Sequence, residues 1–299
     1  MNSMSENSKI LGESLVGMVS KLVNLSRADK HDVFNDIQWP DNLPDDQFWI
    51  SENLVSVFNT PLFDELGENS LYKLSKEECI NFFSLNVHGI RDLLTEVIRY
   101  IHSPGFEVVS EYFHHFIDEE NEHMYFFSKF CQKYGGKIYK DKRLQFSFNT
   151  PDDDVHLFFV FMRIWVFEEI VDYFNSKMGN DKNLHPFIQE INMLHHKDES
   201  RHIAFGNSLL KIIFDDLLSA KPIAVIEAVR SYVKNYLKSS IEMLYNPHVY
   251  KEAGIKNCFS VRNKLLEDQG RREVHEKILN RVLNKLCECQ ILLDKNIYS

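Results

Sequence analysis

The sequence predicts an all-helical protein. Its 299 residues include only 11 glycines and 8 prolines, whereas average usage would supply roughly 20 and 15. So few turn-forming residues leave little room for the many turns of a β-sandwich or a β-barrel. Long segments instead place apolar side chains at steps of three and four residues, which is the pattern of helices with one buried face.

Charge and cysteine content exclude several classes of protein. The net charge is −10, which disfavours binding to a phosphate backbone, and no basic run is longer than Arg271-Arg272. The most apolar stretch, 157–167, is interrupted by Arg163 and is far short of the roughly 20 residues that cross a bilayer. The five cysteines and the absence of a secretory-signal pattern predict reduced thiols and a cytoplasmic protein without a nucleic-acid or membrane partner.

The chain divides into a leader and a bundle within one domain. Residues 1–74 contain one predicted helix near 10–25 and a proline-containing passage unsuited to a long helix, and we expect them to pack on the rest. Ser75, followed three residues later by Glu78, resembles a capping box and predicts that a long helix begins there. Residues 75–299 are predicted to form the helical bundle with its C-terminal helices.

Breaks in the apolar pattern divide the bundle into two hairpins. One helix is predicted to end at 102–105, and the next to end at Gly135-Gly136. A polar crossover follows at about 135–153, and further helices are predicted over 154–178, 185–217, 220–245 and 271–294. Two long hairpins joined by one crossover are the layout of a ferritin-like four-helix bundle, here with additional N- and C-terminal helices. The segment 220–299 either completes the bundle or forms the face of a homodimer.

Pairs of the form acidic-x-x-His are the first candidate metal ligands. Composition alone predicts about two such pairs, and the sequence has four, at Glu111/His114, Glu120/His123, Asp153/His156 and Glu199/His202. Glu120 and His123 fall on a stripe that otherwise holds phenylalanines, whereas the first pair leaves its stripe and the third lies at a helix start. A carboxylate and an imidazole in such a core are costly unless they are paired or bind a metal.

A triad in the last bundle helix is a rarer signal. His195, Glu199 and His202 are spaced four and three residues apart and therefore share one helix face. Composition predicts only about 0.08 occurrences of this arrangement. A hydrated, histidine-rich surface is the alternative; it suits His196 and Arg201, which point elsewhere, but not the triad.

A dinuclear site needs a further carboxylate from each remaining helix. Glu168 and Glu169 interrupt an apolar run in the third bundle helix, and only one of them can face the core. We favour Glu168 and expect Glu169 to contact Arg163 or solvent.

The first bundle helix lacks a clear carboxylate ligand. By analogy with the second hairpin, its ligand is expected about 30 residues before Glu120, near Ile90, where the sequence has no acid. The nearest acids are Asp92 and Glu96. Glu96 lies at the edge of the apolar face, where it is either a ligand or a surface glutamate balanced by Arg99.

Over residues 45–215 the chain resembles the diiron N-oxygenase family typified by p-aminobenzoate N-oxygenase. The motifs that match are Asp118-Glu119-Glu120-Asn121-Glu122-His123 and Asp198-Glu199-Ser200-Arg201-His202-Ile203-Ala204-Phe205-Gly206, together with leader segments such as Asn59-Thr60-Pro61-Leu62-Phe63. A histidine four residues before the last glutamate, here His195, distinguishes this family from other ferritin-like diiron proteins. The resemblance implies metal ligands at Glu120, His123, Glu168, His195, Glu199 and His202. The family's glutamate on the first bundle helix has no clear match.

The chemistry that the resemblance implies is oxygen activation at two iron ions, with manganese as the alternative metal. The expected partners are dioxygen, a small amine that becomes a hydroxylamine, nitroso or nitro compound, and an external electron donor such as a reductase or a ferredoxin-like protein. The donor is external because the sequence contains neither a Gly-x-Gly-x-x-Gly fingerprint nor a cysteine cluster for iron and sulfur. The alternatives are a heme-oxygenase-like diiron oxidase, whose second helix usually has a different spacing, and a non-catalytic metal-binding or storage bundle.

Overall fold

The computed structural model describes residues 4–141 and 152–298, and the regular secondary structure of these residues is entirely helical, without a β-strand. The helices are α1 (Met4–Ala28), α2 (Pro61–Glu65), α3 (Glu68–Val97), α4 (Ser110–Phe130), α5 (Asp153–Asn180), α6 (Pro186–Ala220), α7 (Ile223–Leu244), α8 (Pro247–Glu252), α9 (Cys258–Glu267) and α10 (Gln269–Glu288). Short 3-10 segments, Glu52–Leu54 and Ile98–Tyr100, and a π-helical turn at Cys131–Gly135 join them. The predicted all-α class is confirmed.

Helices α3 to α6 form the core bundle as two antiparallel hairpins. In the second hairpin the helices approach closely where Gly206 of α6 faces Trp165 of α5, since a Cβ atom on Gly206 would lie 2.8 Å from that indole. The four-helix layout predicted from the breaks in the apolar pattern is therefore present. Most of the predicted crossover, 142–151, lies outside the described residues.

Helix α3 begins earlier than predicted, and the proposed capping box is wrong. Ser75 lies inside α3, where its hydroxyl donates to the Tyr72 carbonyl at 2.8 Å and accepts from the Trp49 amide at 3.1 Å. Both carboxylate oxygens of Glu78 accept from the Ser56 amide, at 3.0 and 3.2 Å. The two side chains therefore bind the leader segment to α3 rather than cap a helix, which is why their spacing misleads.

Two contacts set the register between α3 and α5. Phe82 stacks on Phe174 with ring centroids 4.9 Å apart. Seven residues further along α3, Gly89 lies so close to Phe167 that a Cβ atom would be 2.4 Å from the ring. Because Phe167 precedes Phe174 by the same seven residues, the two helices run antiparallel at nearly equal rise.

The C-terminal helices lie against the bundle. Helix α7 packs on α3, α5 and α6, and α10 packs on α5. At the start of α10, buried Arg271 donates to the backbone carbonyls of Val55 and Phe58, at 3.1 and 2.9 Å. It also donates to the Tyr245 hydroxyl at 2.8 Å, so that one guanidinium joins α10 to the leader. Among the described residues, no helix combines the length and apolarity that crossing a membrane requires.

Candidate metal centre

Six side chains from three helices meet at the centre of the bundle. Helix α4 supplies Glu120 and His123, α5 supplies Glu168, and α6 supplies His195, Glu199 and His202. They form two overlapping groups, Glu120/His123/His195/Glu199 and Glu120/Glu168/Glu199/His202, and within each group the ligand atoms lie within 4.8 Å of one another. Glu120 and Glu199 belong to both groups.

Inside the cluster, carboxylate oxygens and imidazole nitrogens from different helices lie close together. Glu120 Oε1 lies 3.2 Å from His123 Nδ1 and 2.9 Å from His202 Nδ1. Glu199 Oε1 lies 3.0 Å from His195 Nε2 and 3.4 Å from His202 Nδ1. The two carboxylates therefore face the imidazole nitrogens from opposite helices.

Several of these atoms are buried without a hydrogen-bond partner, and this fits a metal site. The atoms are the carboxylate oxygens Glu120 Oε2, Glu168 Oε1 and Glu199 Oε2. Each buried polar atom without a partner costs about 1–3 kcal/mol, so such a concentration in a phenylalanine-lined core is unfavourable unless cations bind there. Carboxylate oxygens and imidazole nitrogens form a donor set that suits iron and manganese.

Burial also shifts the acid–base properties of the carboxylates. Burial raises the pKa of Glu199 to about 7, and burial together with the charge of Glu199 raises the pKa of Glu168 well above its ordinary value. For Glu120, the charges and hydrogen bonds of His123 and His202 outweigh burial and lower the pKa.

The three histidines differ from one another. Burial alone would lower the pKa of His123, but Glu120 and Asp198 raise it to about 10. The pKa of His202 is likewise raised against the effect of burial, chiefly by the charge of Glu199. Burial and the charge of His123 lower the pKa of His195 well below its ordinary value, so that its imidazole is neutral.

Each acidic residue that precedes a cluster glutamate holds the histidine of the opposite helix. Asp198, next to Glu199, accepts from His123 Nε2 at 3.1 Å. Glu119, next to Glu120, accepts from His202 Nε2 at 2.8 Å. Because these bonds fix Nε2 as the protonated nitrogen, Nδ1 of both histidines is left to face the cluster. The support is crossed between α4 and α6.

One guanidinium joins the two supporting carboxylates. Arg201 is only 5% exposed, and its Nη2 donates to Glu119 at 2.8 Å and to Asp198 at 2.5 Å. Its Nη1 donates to Asp29, just beyond α1, at 3.2 Å. The expectation that Arg201 lies on a hydrated face is therefore wrong, because three carboxylates compensate its burial.

The third histidine has an amide as its partner. His195 Nδ1 contacts the side-chain nitrogen of Asn175, whose Oδ1 is buried without a partner. If His195 binds a metal through Nε2, its proton lies on Nδ1, and the Asn175 amide must then present its oxygen to that proton.

Glu169 and Glu96, the alternative candidate ligands from the sequence, lie outside the cluster. Glu169 lies outside both groups and contacts Arg281 of α10 at 3.1 Å, rather than Arg163 or solvent. Arg281 also binds Asp172 at 2.7 Å, and His196 donates to the same Asp172. Glu96 belongs to neither group and borders a cavity between α3, α5 and α7.

Sequence reasoning missed Glu119, Asp198 and Asn175. A signal for the first two is present in the chain: both halves carry acidic-Glu-x-x-His, at 119–123 and 198–202. The doubled acid has a physical purpose, because one carboxylate faces the cluster while its neighbour, about 100° around the helix, reaches the opposite histidine. No comparable pattern marks Asn175.

Replacing Arg201 by glutamine should weaken metal binding, because Glu119 and Asp198 would lose the cation that holds them against His202 and His123. Outer partners of this kind typically contribute 10–100-fold in metal affinity, and we expect a loss in that range by titration with Co²⁺ or Mn²⁺. Lys197→Gln is the matched control, since Lys197 also contacts Asp29, at 3.2 Å, but not the supporting pair. Equal affinities for the two variants would contradict this role.

Metal binding should release protons and strengthen as the pH rises. The raised pKa values of Glu199, His123 and His202 keep protons on these groups near neutral pH, and a metal must displace them. We therefore expect affinity for Mn²⁺ to increase from pH 6 to pH 8, and the calorimetric heat to depend on the ionisation enthalpy of the buffer. A heat that is the same in all buffers would count against these protonation states.

Comparison with known proteins agrees with this geometry. The family model for p-aminobenzoate N-oxygenase AurF matches residues 15–289, which is nearly the whole chain and includes every residue of the cluster. No curated protein gives a match. Since the family model covers the bundle, the leader and α10 together, the chain belongs to the p-aminobenzoate N-oxygenase AurF family.

Proposed function

We propose that the protein is a diiron oxygenase that oxidises the nitrogen of an amine, most favourably an arylamine. Family membership supports an oxygenase. The observation that supports a diiron site is the pair of buried groups of potential ligands that share Glu120 and Glu199. Two iron ions held there would supply reduction of dioxygen and transfer of one oxygen atom. Manganese is the alternative metal for the same donors.

A cavity beside the cluster supports a substrate of aromatic size. Its volume is about 800 Å³, and it lies between α3, α5 and α7. The wall nearest the cluster includes Asn86, Phe167 and Ile170; Phe167 directly precedes the candidate ligand Glu168. Apolar and aromatic side chains on this wall can bind the ring of an arylamine, whereas the opposite end of the cavity, with Arg91 and Asp92, is open to solvent.

A second, much smaller space adjoins the cluster itself. It measures about 20 Å³ and is bordered by Glu168 and His202, which is room for one small molecule such as dioxygen. Ile164 borders both this space and the larger cavity. The two reactants would therefore approach the metals from two spaces that share Ile164 in their walls.

The reaction requires an electron donor. Conversion of an amine to a hydroxylamine consumes one dioxygen, two electrons and two protons and releases one water. We infer that a separate reductase or ferredoxin-like protein supplies the electrons, since the sequence has no fingerprint for a nucleotide cofactor. The side chains of the centre hold the metals, and the histidine partners Glu119 and Asp198 keep the imidazoles oriented.

The two alternatives are less well supported. A heme-oxygenase-like diiron oxidase fits poorly with the family match over residues 15–289. A storage bundle would not need an aromatic-walled cavity of about 800 Å³ beside the metals.

The deciding experiment is turnover of the iron-loaded protein with dioxygen, a reductant and a panel of aryl and alkyl amines. We expect hydroxylamine, nitroso or nitro products that carry ¹⁸O from ¹⁸O₂, with aryl amines preferred. Glu199→Gln, which removes a shared ligand charge, is the negative control. Two bound irons per chain without any oxygenated nitrogen product would refute the proposal.

Filling the cavity should discriminate between large and small amines. Val171 borders the cavity, and Val171→Phe should raise the KM for aryl amines about tenfold, the effect of a poorly accommodated group in an apolar pocket. Iron content and the KM for a small alkyl amine should not change. Val225→Phe, on α7 away from the cavity, is the matched control. An unchanged KM for aryl amines would place the substrate elsewhere.

A further inference from the structure

We propose that the side-chain oxygen of Asn86 is the metal ligand that α3 supplies to this centre. The inference rests on the proposed dinuclear site, to which α4, α5 and α6 all contribute residues and α3 contributes no acid or histidine. A neutral amide oxygen would then stand where a fourth carboxylate was expected from the sequence.

The direction of Asn86 follows from its neighbours on α3. Phe82 faces α5, because it stacks on Phe174, and Phe83 faces α4, because its ring centroid lies 4.7 Å from that of Phe127. At about 100° per residue, Asn86 lies between these two directions, about 40° from Phe82 and about 60° from Phe83. Asn86 therefore points between α4 and α5, toward the bundle axis.

Asn86 lies at nearly the same level along the bundle axis as the cluster. The Phe82/Phe174 and Gly89/Phe167 contacts place Asn86 opposite residue 170 of α5, two residues or about 3 Å along the axis from Glu168. By the same register Glu96 lies opposite residue 160, about 12 Å along the axis from Glu168. Glu96 is therefore too far along α3 to be the ligand.

The amide of Asn86 is oriented to bind a cation. Its side chain is 0% exposed, and its nitrogen donates to the Phe82 carbonyl at 2.8 Å. Since a carbonyl can only accept, this bond identifies the nitrogen and leaves Oδ1 on the other side of the amide. That oxygen is buried and has no hydrogen-bond partner, which costs about 1–3 kcal/mol in the absence of a ligand.

The expectation of a ligand near Ile90 differs from Asn86 by one helical turn, and the loops explain the shift. The connection between α5 and α6 spans 181–185, whereas that between α3 and α4 spans 98–109. A longer connection moves the residue that faces Glu120 toward the N-terminus of α3.

An amide ligand changes the charge of the centre. Glu120, Glu168 and Glu199 supply three negative charges against the four positive charges of two iron(II) ions. A fourth carboxylate would neutralise the reduced centre, whereas Asn86 leaves it with one positive charge. The oxidised state is then less stabilised than in a four-carboxylate site, and the metal held partly by α3 dissociates more readily.

The test compares Asn86→Leu and Asn86→Asp with the unmodified protein after loading with ⁵⁷Fe²⁺. We expect Asn86→Leu to lower the affinity for one of the two ions at least tenfold and to change one of the two quadrupole doublets in the Mössbauer spectrum. Asn86→Asp should keep both ions, change the same doublet and lower the reduction potential. Because Asn86→Asp retains a ligand oxygen, it remains informative if Asn86→Leu fails to fold.

Asn192→Leu is the matched control. Asn192 on α6 is also fully buried, donates from its amide nitrogen to the carbonyl four residues before it, and has an unpartnered Oδ1. It lies three residues, about 4.5 Å along the axis, from His195 and seven residues from Glu199, on the helix opposite α3, and its loss should leave unchanged the doublet that Asn86→Leu alters.

Two results would overturn the proposal. One is an Asn86→Asp spectrum and potential identical to those of the unmodified protein. The other is an Asn86→Leu protein that keeps both ions and both doublets and only binds arylamines more weakly, since Asn86 would then contact substrate in the cavity. A protein that binds two ions as described but oxidises no amine would contradict the proposed function alone.

Discussion

The burial of charge at the centre of the bundle is the constraint on which the remaining structure depends. Three carboxylates and three imidazoles lie among phenylalanine side chains with almost no exposure, where an uncompensated charge costs several kcal/mol. Local pairing compensates only part of this, because one carboxylate oxygen on each of the three glutamates keeps no hydrogen-bond partner. The bundle thus places an unfavourable polar cluster at its core and supports it from outside.

That support extends well beyond the four core helices. Arg201 connects the cluster to Asp29, just beyond α1, and Arg281 of α10 binds Glu169 and Asp172 on the outer side of α5. Arg271 joins α10 to the leader. The terminal segments therefore supply cations and acids that hold the charged faces of α5 and α6 in place.

The sequence predicted the class of fold and six clustered residues because both are encoded locally. Apolar steps of three and four define a helix face, and Glu120/His123 or His195/Glu199/His202 lie on such a face regardless of what packs against it. What the sequence could not predict depends on the partner helix. From the sequence alone, Arg201 resembles a surface residue, because its partner Glu119 lies on a different helix. Ser75 and Glu78 resemble a helix cap for the same reason. Their actual partners, Trp49 and Ser56, lie in the leader. The register of α3 depends on a loop whose path is not a local property.

The crossed support between α4 and α6 has a consequence for assembly of the protein. His123 is oriented by Asp198 of the other hairpin, and His202 by Glu119 of the first. Neither hairpin alone can fix the protons of His123 and His202 on Nε2; in the second hairpin, only His195 keeps its partner, Asn175. An isolated half would therefore hold a cation more weakly than the docked bundle. Docking of the two hairpins and binding of a cation between them would thereby be thermodynamically linked.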